Sequence, residues 1–220
     1  MEKLVDETKS NCSYTKGKVR KELEHLLNKH GIKSSLSKQM FYEKCKIRTL
    51  VKGSAVFFEG KVNNSEYVLL SGILHRYNSC EKENVVTTGF YIPKALITPH
   101  FLRTKNNKSI FGLHAVTDVV IAEISLKEYK RLRKLFKEFE AFERHYIQEE
   151  ILHISHNKVF LRCYDAKERL LFFRRQFPDL ENSIPHSLIA SYLGITHVSL
   201  SRLRGEIAKS KITVEESNNS

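Results

Sequence analysis

Between Lys46 and Ile124 the sequence breaks into seven short runs: KIRTLVK, AVFFEG, EYVLLSG, ILHRYNS, NVVTTGFYI, SIFGLHAV and DVVIAEI. Each is rich in β-branched or aromatic residues and reads as a strand. Gly53, Gly60, the Asn63-Asn64 pair, Gly72 and the polar stretch from Asn78 to Asn84 punctuate them. Several short strands at regular intervals predict a β-roll or jelly roll rather than a parallel sheet.

Helical patterns surround this block, so the expected class is α+β. Before it, Met1 to Tyr14 is polar and without period, and is expected to be a mobile arm. Val19, Leu23, Leu26 and Leu27 then recur at helical spacing up to Gly31, and Ser37 to Glu43 is compatible with another turn or short helix. After the strands, SLKEYKRLRKLF opens on a serine cap with Glu128 at the capping-box offset. A long helix is expected from about Glu138 to Phe160. It carries two apolar lines, one of Phe139, Phe142 and Tyr146, the other of Ile147, Ile151, Ile154 and Leu161. Two lines on one helix are more than a single β-domain face would cover, so a second copy of the chain is the expected cover. The competing reading packs the helix wholly within its own subunit.

AKERLLFFRRQF follows, with Leu170, Leu171, Phe173 and Phe177 as its buried side and Pro178 as its stop. Pro185 then sits where a first helical turn favours proline. In PHSLIASYLGITHVSLSRLRGEIAK, Ile189, Ala190 and Leu193 form one short apolar face and Ile195, Leu200 and Leu203 a second. Gly194 between them supplies the left-handed turn, small Ala190 permits close approach, and Thr196 can cap the second helix. This is the pattern of a helix-turn-helix. Its outer side offers His197, Val198, Ser199, Ser201, Arg202 and Arg204, types suited to phosphates and base edges, with Ser191 a further phosphate partner. Lys209 to Ser220 is polar and is expected to fray.

Charge agrees with that reading. The 220 residues hold 37 Lys and Arg against 25 Asp and Glu, a formal charge of +12 and a pI near 9.5, which favours a polyanionic partner. Cys12, Cys45, Cys80 and Cys163 are scattered without a CxxC or CxH pair, which argues against zinc knuckles and clustered iron–sulfur sites and for reduced thiols. Neither a signal sequence nor a window of membrane-span length is evident, so a soluble, cytoplasmic protein without a membrane partner is expected.

With β-roll, long helix and helix-turn-helix in that order, the chain resembles the Crp/Fnr family of bacterial transcription regulators. IASYLGITHVSLSRLR resembles the branch common in Bacteroidetes; FFEG followed by VLLSGILHRYN resembles the family's roll glycine pattern, and AEISLKEYKRL the exit from the roll. The resemblance covers about Lys46 to Ala208. The N-terminal arm and helix over 1–45 lie outside it, and the expected division of the rest is a cyclic-nucleotide-binding-like roll with its flanking helix over 46–135, a dimerisation helix over 136–161 and a DNA-binding domain over 162–220. The resemblance further implies a homodimer whose two recognition helices enter successive major grooves about 34 Å apart, with RNA polymerase as a further partner. Base reading falls by the same resemblance to His197, Val198, Ser199 and Arg202, with Arg202 at the place of a guanine-reading arginine. Many members carry Arg and Glu at the first two positions, so the common operator does not carry over. A β-hairpin wing, which many relatives place after the recognition helix, is not expected from the residues after it.

Cyclic-nucleotide-binding relatives hold the ribose with a Gly-Glu pair and the phosphate with Arg-Ser or Arg-Thr. The corresponding stretch here, FYIPKALITPHFLRTKNNKSIFGLHAV, has no acidic residue, and the register puts the phosphate pair near Ser109-Ile110. Lys94, Arg103, Lys108 and Ser109 therefore make a degenerate effector pocket, with cyclic AMP not expected as effector and no cofactor, metal or catalytic residue assigned. The rival is a cupin-like metal-dependent enzyme using the roll histidines His75, His100 and His114, which lack a paired HxH.

Overall fold

The structure is a computed structural model that describes residues 16–80 and 85–218; the expected N-terminal arm lies outside them. The chain opens with α1 (Lys16–Lys29) and α2 (Ser35–Lys44). Then come β1 (Lys46–Leu50), β2 (Ala55–Phe57), β3 (Ser65–Ser71), β4 (Leu74–Ser79), β5 (Val85–Tyr91) and β6 (Ala95–Leu96). The short helix α3 (His100–Arg103) leads to β7 (Thr104–Lys105), β8 (Lys108–Ser109), β9 (Gly112–Ala115) and β10 (Val119–Ser125). The rest is helical: α4 (Leu126–Leu135), α5 (Glu138–Cys163), α6 (Ala166–Gln176), α7 (Leu180–Ser183), α8 (His186–Leu193) and α9 (His197–Asn218).

Two antiparallel sheets form the roll, in orders β1-β10-β3-β6 and β2-β9-β4-β5, with β7 and β8 as a small separate hairpin. Side chains alternate across a strand, and the alternation assigns each face. Tyr67 and Leu69 of β3 and Ile121 of β10 point between the sheets, meeting Leu74, Leu113 and Phe57. Val68 and Leu70, with Val120, Ala122 and Ile124, point the other way onto α1, α2, α4 and the start of α5. Because both faces are covered, β3 and β10 read as nearly continuous apolar runs rather than as alternating ones.

The expected Ser125 cap is present, and others join it in fixing where helices begin. Ser125 accepts from the backbone N–H of Glu128 at 3.3 Å. Asp165 and Glu168 form a full capping box, each side chain bonded to the other's backbone N–H. Glu138, at the start of α5, accepts from the backbone N–H of Lys33 and Ser34 and from the Ser37 hydroxyl, and so ties α2 to α5.

Half of the expected dimer face belongs instead to the chain's own core. Phe139 is fully buried and Phe142 nearly so, packed with Leu27, Phe41 and Tyr129; Tyr146 is half-buried and donates to the Leu96 carbonyl at 3.3 Å. These three residues sit over the outer face of the first sheet, where aromatic area is needed to close it. The second line differs. Ile147 is half-buried, whereas Ile151, Ile154 and Leu161 are about half exposed, as are Leu152 and Val159 beside them. Beyond Lys209, where fraying was expected, α9 continues helical to Asn218.

A second aromatic core holds the C-terminal helices to the roll. Phe90 of β5 lies 5.4 Å from the ring of Tyr192, 6.0 Å from Phe173 and 6.1 Å from Phe177, all at steep angles. Edge-to-face pairs of this kind add about 0.5 to 1.5 kcal/mol each beyond area burial. The Ser191 hydroxyl on α8 accepts from the Thr87 backbone N–H at 2.9 Å, so the docking is polar as well as apolar.

Candidate nucleic-acid interface

The α8–α9 pair is built as its sequence demands. Gly194 takes φ +67° and ψ 35°, a left-handed cap that a side chain would strain. Its N–H donates to Ser191 O at 3.2 Å, and Ile195 N–H donates to Ala190 O at 3.0 Å, closing the end of α8. Thr196 Oγ1 then accepts from Ser199 N–H at 3.1 Å, capping α9. Ile189, Leu193 and Leu200 are fully buried, and Leu203 and Ile207 extend the same inner face.

With Leu200, Leu203 and Ile207 turned inward at helical spacing, the opposite side of α9 carries His197, Val198, Ser201 and Arg202. All four are exposed. The other expected interface residues are placed differently. Ser199 is half-buried and bonded to the Thr196 hydroxyl at 2.9 Å, so it serves the cap. Ser191 is engaged with β5 through Thr87. Arg204 is ion-paired with Glu181, Nε 2.8 Å from Oε1, and its Nη1 lies 3.0 Å from the His186 ring nitrogens.

The four residues expected to form an effector pocket do not share one. Lys94 is exposed in a turn at φ +66°, and Lys108 is exposed on the small hairpin. Ser109 is buried and accepts from Asn63 Nδ2 at 3.2 Å. Arg103 is fully buried inside the roll, where Nη1 donates to Glu66 at 3.0 Å and to Thr98 O at 2.7 Å, and Nη2 donates to Ser65 O. Its guanidinium also lies 5.4 Å from the Phe57 ring and 5.1 Å from that of Tyr67. Burial pushes the Glu66 carboxyl up while Arg103 pulls it down, so the two charges are held together where water is scarce. The cause is positional: α3 turns the Arg103 side chain inward, and Glu66, remote in sequence, meets it there.

A cleft of about 290 Å³ does exist, between the second sheet, α5 and α8, lined by Arg76, Thr88, Ile154, Asn157, Lys158 and Tyr192 among others. Arg76 donates Nε to Thr88 Oγ1 and Nη2 to the Thr88 carbonyl, both at 3.2 Å, and lies 3.6 Å from Glu150 of α5. Apart from Ile154, read as part of an apolar line, the sequence does not point to these residues as a cleft. A signal was available: in ILHRYNS, Arg76 falls in alternation with buried Leu74, where a charge has to find a partner.

The roll histidines separate. His75 and His114 face each other across β4 and β9 with ring centroids 5.8 Å apart, and burial pushes the His75 ring down to about 4. His100 lies apart from them, its Nε2 2.8 Å from the Asn63 carbonyl. Among the described residues no group of three or more His, Cys, Asp or Glu could hold a metal ion. No described helix is long and apolar enough to cross a membrane.

No protein-family model matches the sequence, and no curated protein matches it. Solved structures do. FixK2 from Bradyrhizobium japonicum superposes with a TM-score of 0.65 at 15% identity, covering 76% of this chain and 86% of its own. The c-di-GMP responsive global regulator CLP from Xanthomonas campestris gives 0.65 at 13%, over 81% and 93%. A CooA mutant from Carboxydothermus hydrogenoformans gives 0.66 at 18%, over 86% and 84%. At such identities the likeness concerns architecture: the chain has the Crp/Fnr regulator fold, a cyclic-nucleotide-binding-like roll followed by C-terminal helices.

Proposed function

We propose that the chain is a DNA-binding transcription regulator of the Crp/Fnr type, acting without catalysis and in the cytoplasm, where its operator would be. The observation that carries this reading is α9: a helix anchored by Leu200, Leu203 and Ile207 behind a left-handed glycine turn, with His197, Val198, Ser201 and Arg202 exposed on the far side. That shape fits a major groove, and its side chains suit base edges. Arg202 is the expected guanine reader. Exposed Lys and Arg elsewhere supply the phosphate attraction.

A homodimer is the second part of the proposal. Ile151, Leu152, Ile154, Val159 and Leu161 leave a half-exposed aliphatic face on one 26-residue helix, about 39 Å long. A parallel copy of the same helix is the cover that would place two recognition helices on successive grooves. RNA polymerase is a further partner of the reading, and 46–135, 136–161 and 162–220 are proposed as its sensing, dimerising and reading parts.

Cyclic AMP is not the proposed effector. The interior arginine that might fork onto a phosphate, Arg103, is already committed to Glu66, Ser65 and Thr98. The enzyme alternative lacks a supporting observation, since His100 stands apart from His75 and His114.

The test compares Arg202→Ala with the parent on a selected operator and on random duplex. Losing a bidentate base contact should weaken operator binding by about 1 to 3 kcal/mol and relax one position per half-site. Equal affinity and equal selectivity in the variant would remove Arg202 as a reader.

A further inference from the structure

We infer that Glu181 is a positioning residue for base reading, a buried carboxylate that fixes the azimuth of α9 and thereby holds Arg204 as a strut rather than as a phosphate contact. The inference rests on the DNA-binding reading proposed above.

Glu181 sits on the one-turn helix α7, in the connector between α6 and α8, and only 8% of it is exposed. Its backbone is held from both sides, because Leu180 and Ile184 are buried in the aromatic core. Two elements then converge on the one carboxylate. Arg174 of α6 donates Nε at 2.5 Å and Nη2 at 3.0 Å, a bidentate fork. Arg204 of α9 forms an ion pair with the same carboxylate, Nε 2.8 Å from Oε1. Arg204 Nη1 also reaches the His186 ring at 3.0 Å, which adds the first residue of α8 to the network. The Arg174 hydrogen bond, with both guanidinium charges, holds the Glu181 carboxyl below the usual carboxylate range.

The geometry gives the network its consequence. Arg204 lies seven residues after His197, two turns along the same edge of the helix, and the His197 ring stands 6.4 Å from that of His186. The inner face of α9 is an aliphatic strip that sets its depth, and the ion pair at its edge adds a directional restraint on its rotation. With side chains reaching about 5 Å from the axis, a rotation of about 10° carries their tips roughly 1 Å, enough to spoil a base-edge hydrogen bond. Phosphate attraction tolerates that displacement, because it depends on charge more than on direction.

The full chain is tested on a duplex operator selected for the parent and on random duplex, each over a range of salt, for the parent, Glu181→Gln and Arg204→Gln. Circular dichroism establishes folding, and Arg204→Gln, which leaves the Arg174–Glu181 fork intact, carries the test if Glu181→Gln does not fold. Both folded variants should bind the operator at least about tenfold more weakly while random-duplex affinity stays within about twofold and its salt slope is unchanged. If Arg204→Gln instead weakens both duplexes alike and flattens the slope by about one unit, Arg204 is a phosphate contact and the inference is wrong. Operator affinity retained in both variants would also overturn it. A parent that selects no operator at all refutes the DNA-binding reading, a different outcome from either of these.

Discussion

Phe90→Ala should loosen the C-terminal helices from the roll, and its size can be worked from the ring contacts. Phe90 is 8% exposed and meets Phe173, Phe177 and Tyr192 at 6.0, 6.1 and 5.4 Å. Burying a phenylalanine contributes about 1.5 to 3 kcal/mol, and the lost ring pairs and the residual cavity bring truncation to about 3 to 5 kcal/mol. In a chain of this length each kcal/mol moves Tm by about 2 to 4 °C, so a fall of at least about 6 °C is expected in scanning calorimetry. Because the contact joins two cores, the single transition should also broaden or split. Val85→Ala, on the same strand but 54% exposed, is the control and should shift Tm by no more than about 2 °C. If Phe90→Ala behaved like Val85→Ala, the docking of α6 and α8 on β5 would be wrong.

Arg103→Met leaves Glu66 buried without its counter-charge and should destabilise by about 3 to 5 kcal/mol in denaturant unfolding; a change under about 1 kcal/mol would show that Glu66 does not depend on Arg103. His75 titrates at about 4 in the folded chain, below its ordinary value near 6.5, so the unfolded chain binds more protons between those pH values. Stability should therefore be level above about pH 6.5 and fall toward pH 4, by roughly 1 to 3 kcal/mol from this group. His75→Phe should flatten that part of the profile, and an unchanged profile would place the loss elsewhere. Ile151→Glu removes an apolar contact made twice in a symmetric pair, at least about 3 kcal/mol in all, and should weaken a dimer about a hundredfold. Sedimentation showing the same mass for parent and variant at micromolar concentration would contradict the proposed interface.

What could be read from the sequence was whatever local patterns decide. The strand runs matched β1 to β5, β9 and β10 because alternation and glycine punctuation are local, and Gly194 and Thr196 act within four residues of their partners. The polar stretch from Pro93 to Lys108 hid β6, α3, β7 and β8, whose hydrogen bonds depend on Glu66, Asn63 and Lys61 from earlier in the chain. The same limit explains Arg103. Its number near the expected phosphate site suggested a ligand contact, but the deciding acid came from β3. On α5 the two apolar lines were visible, while their division between Phe139, Phe142 and Tyr146 inside and Ile151, Ile154 and Leu161 outside depended on where the outer sheet face ended. Leu152 and Val159 went unnoticed because they continue neither line. Arg204 reads as a phosphate partner from its position on the helix, and its ion pair with Glu181 depends on the fold of the preceding connector.

Sequence-specific DNA recognition is measured most directly by selection of binding sites from random duplex DNA by the purified chain. Two inverted half-sites should be enriched, with centres about 10 base pairs apart or a multiple of that, as expected for paired recognition helices about 34 Å apart. A pool that stays random through successive rounds, despite measurable salt-sensitive binding, would contradict the account and leave a nonspecific nucleic-acid binder.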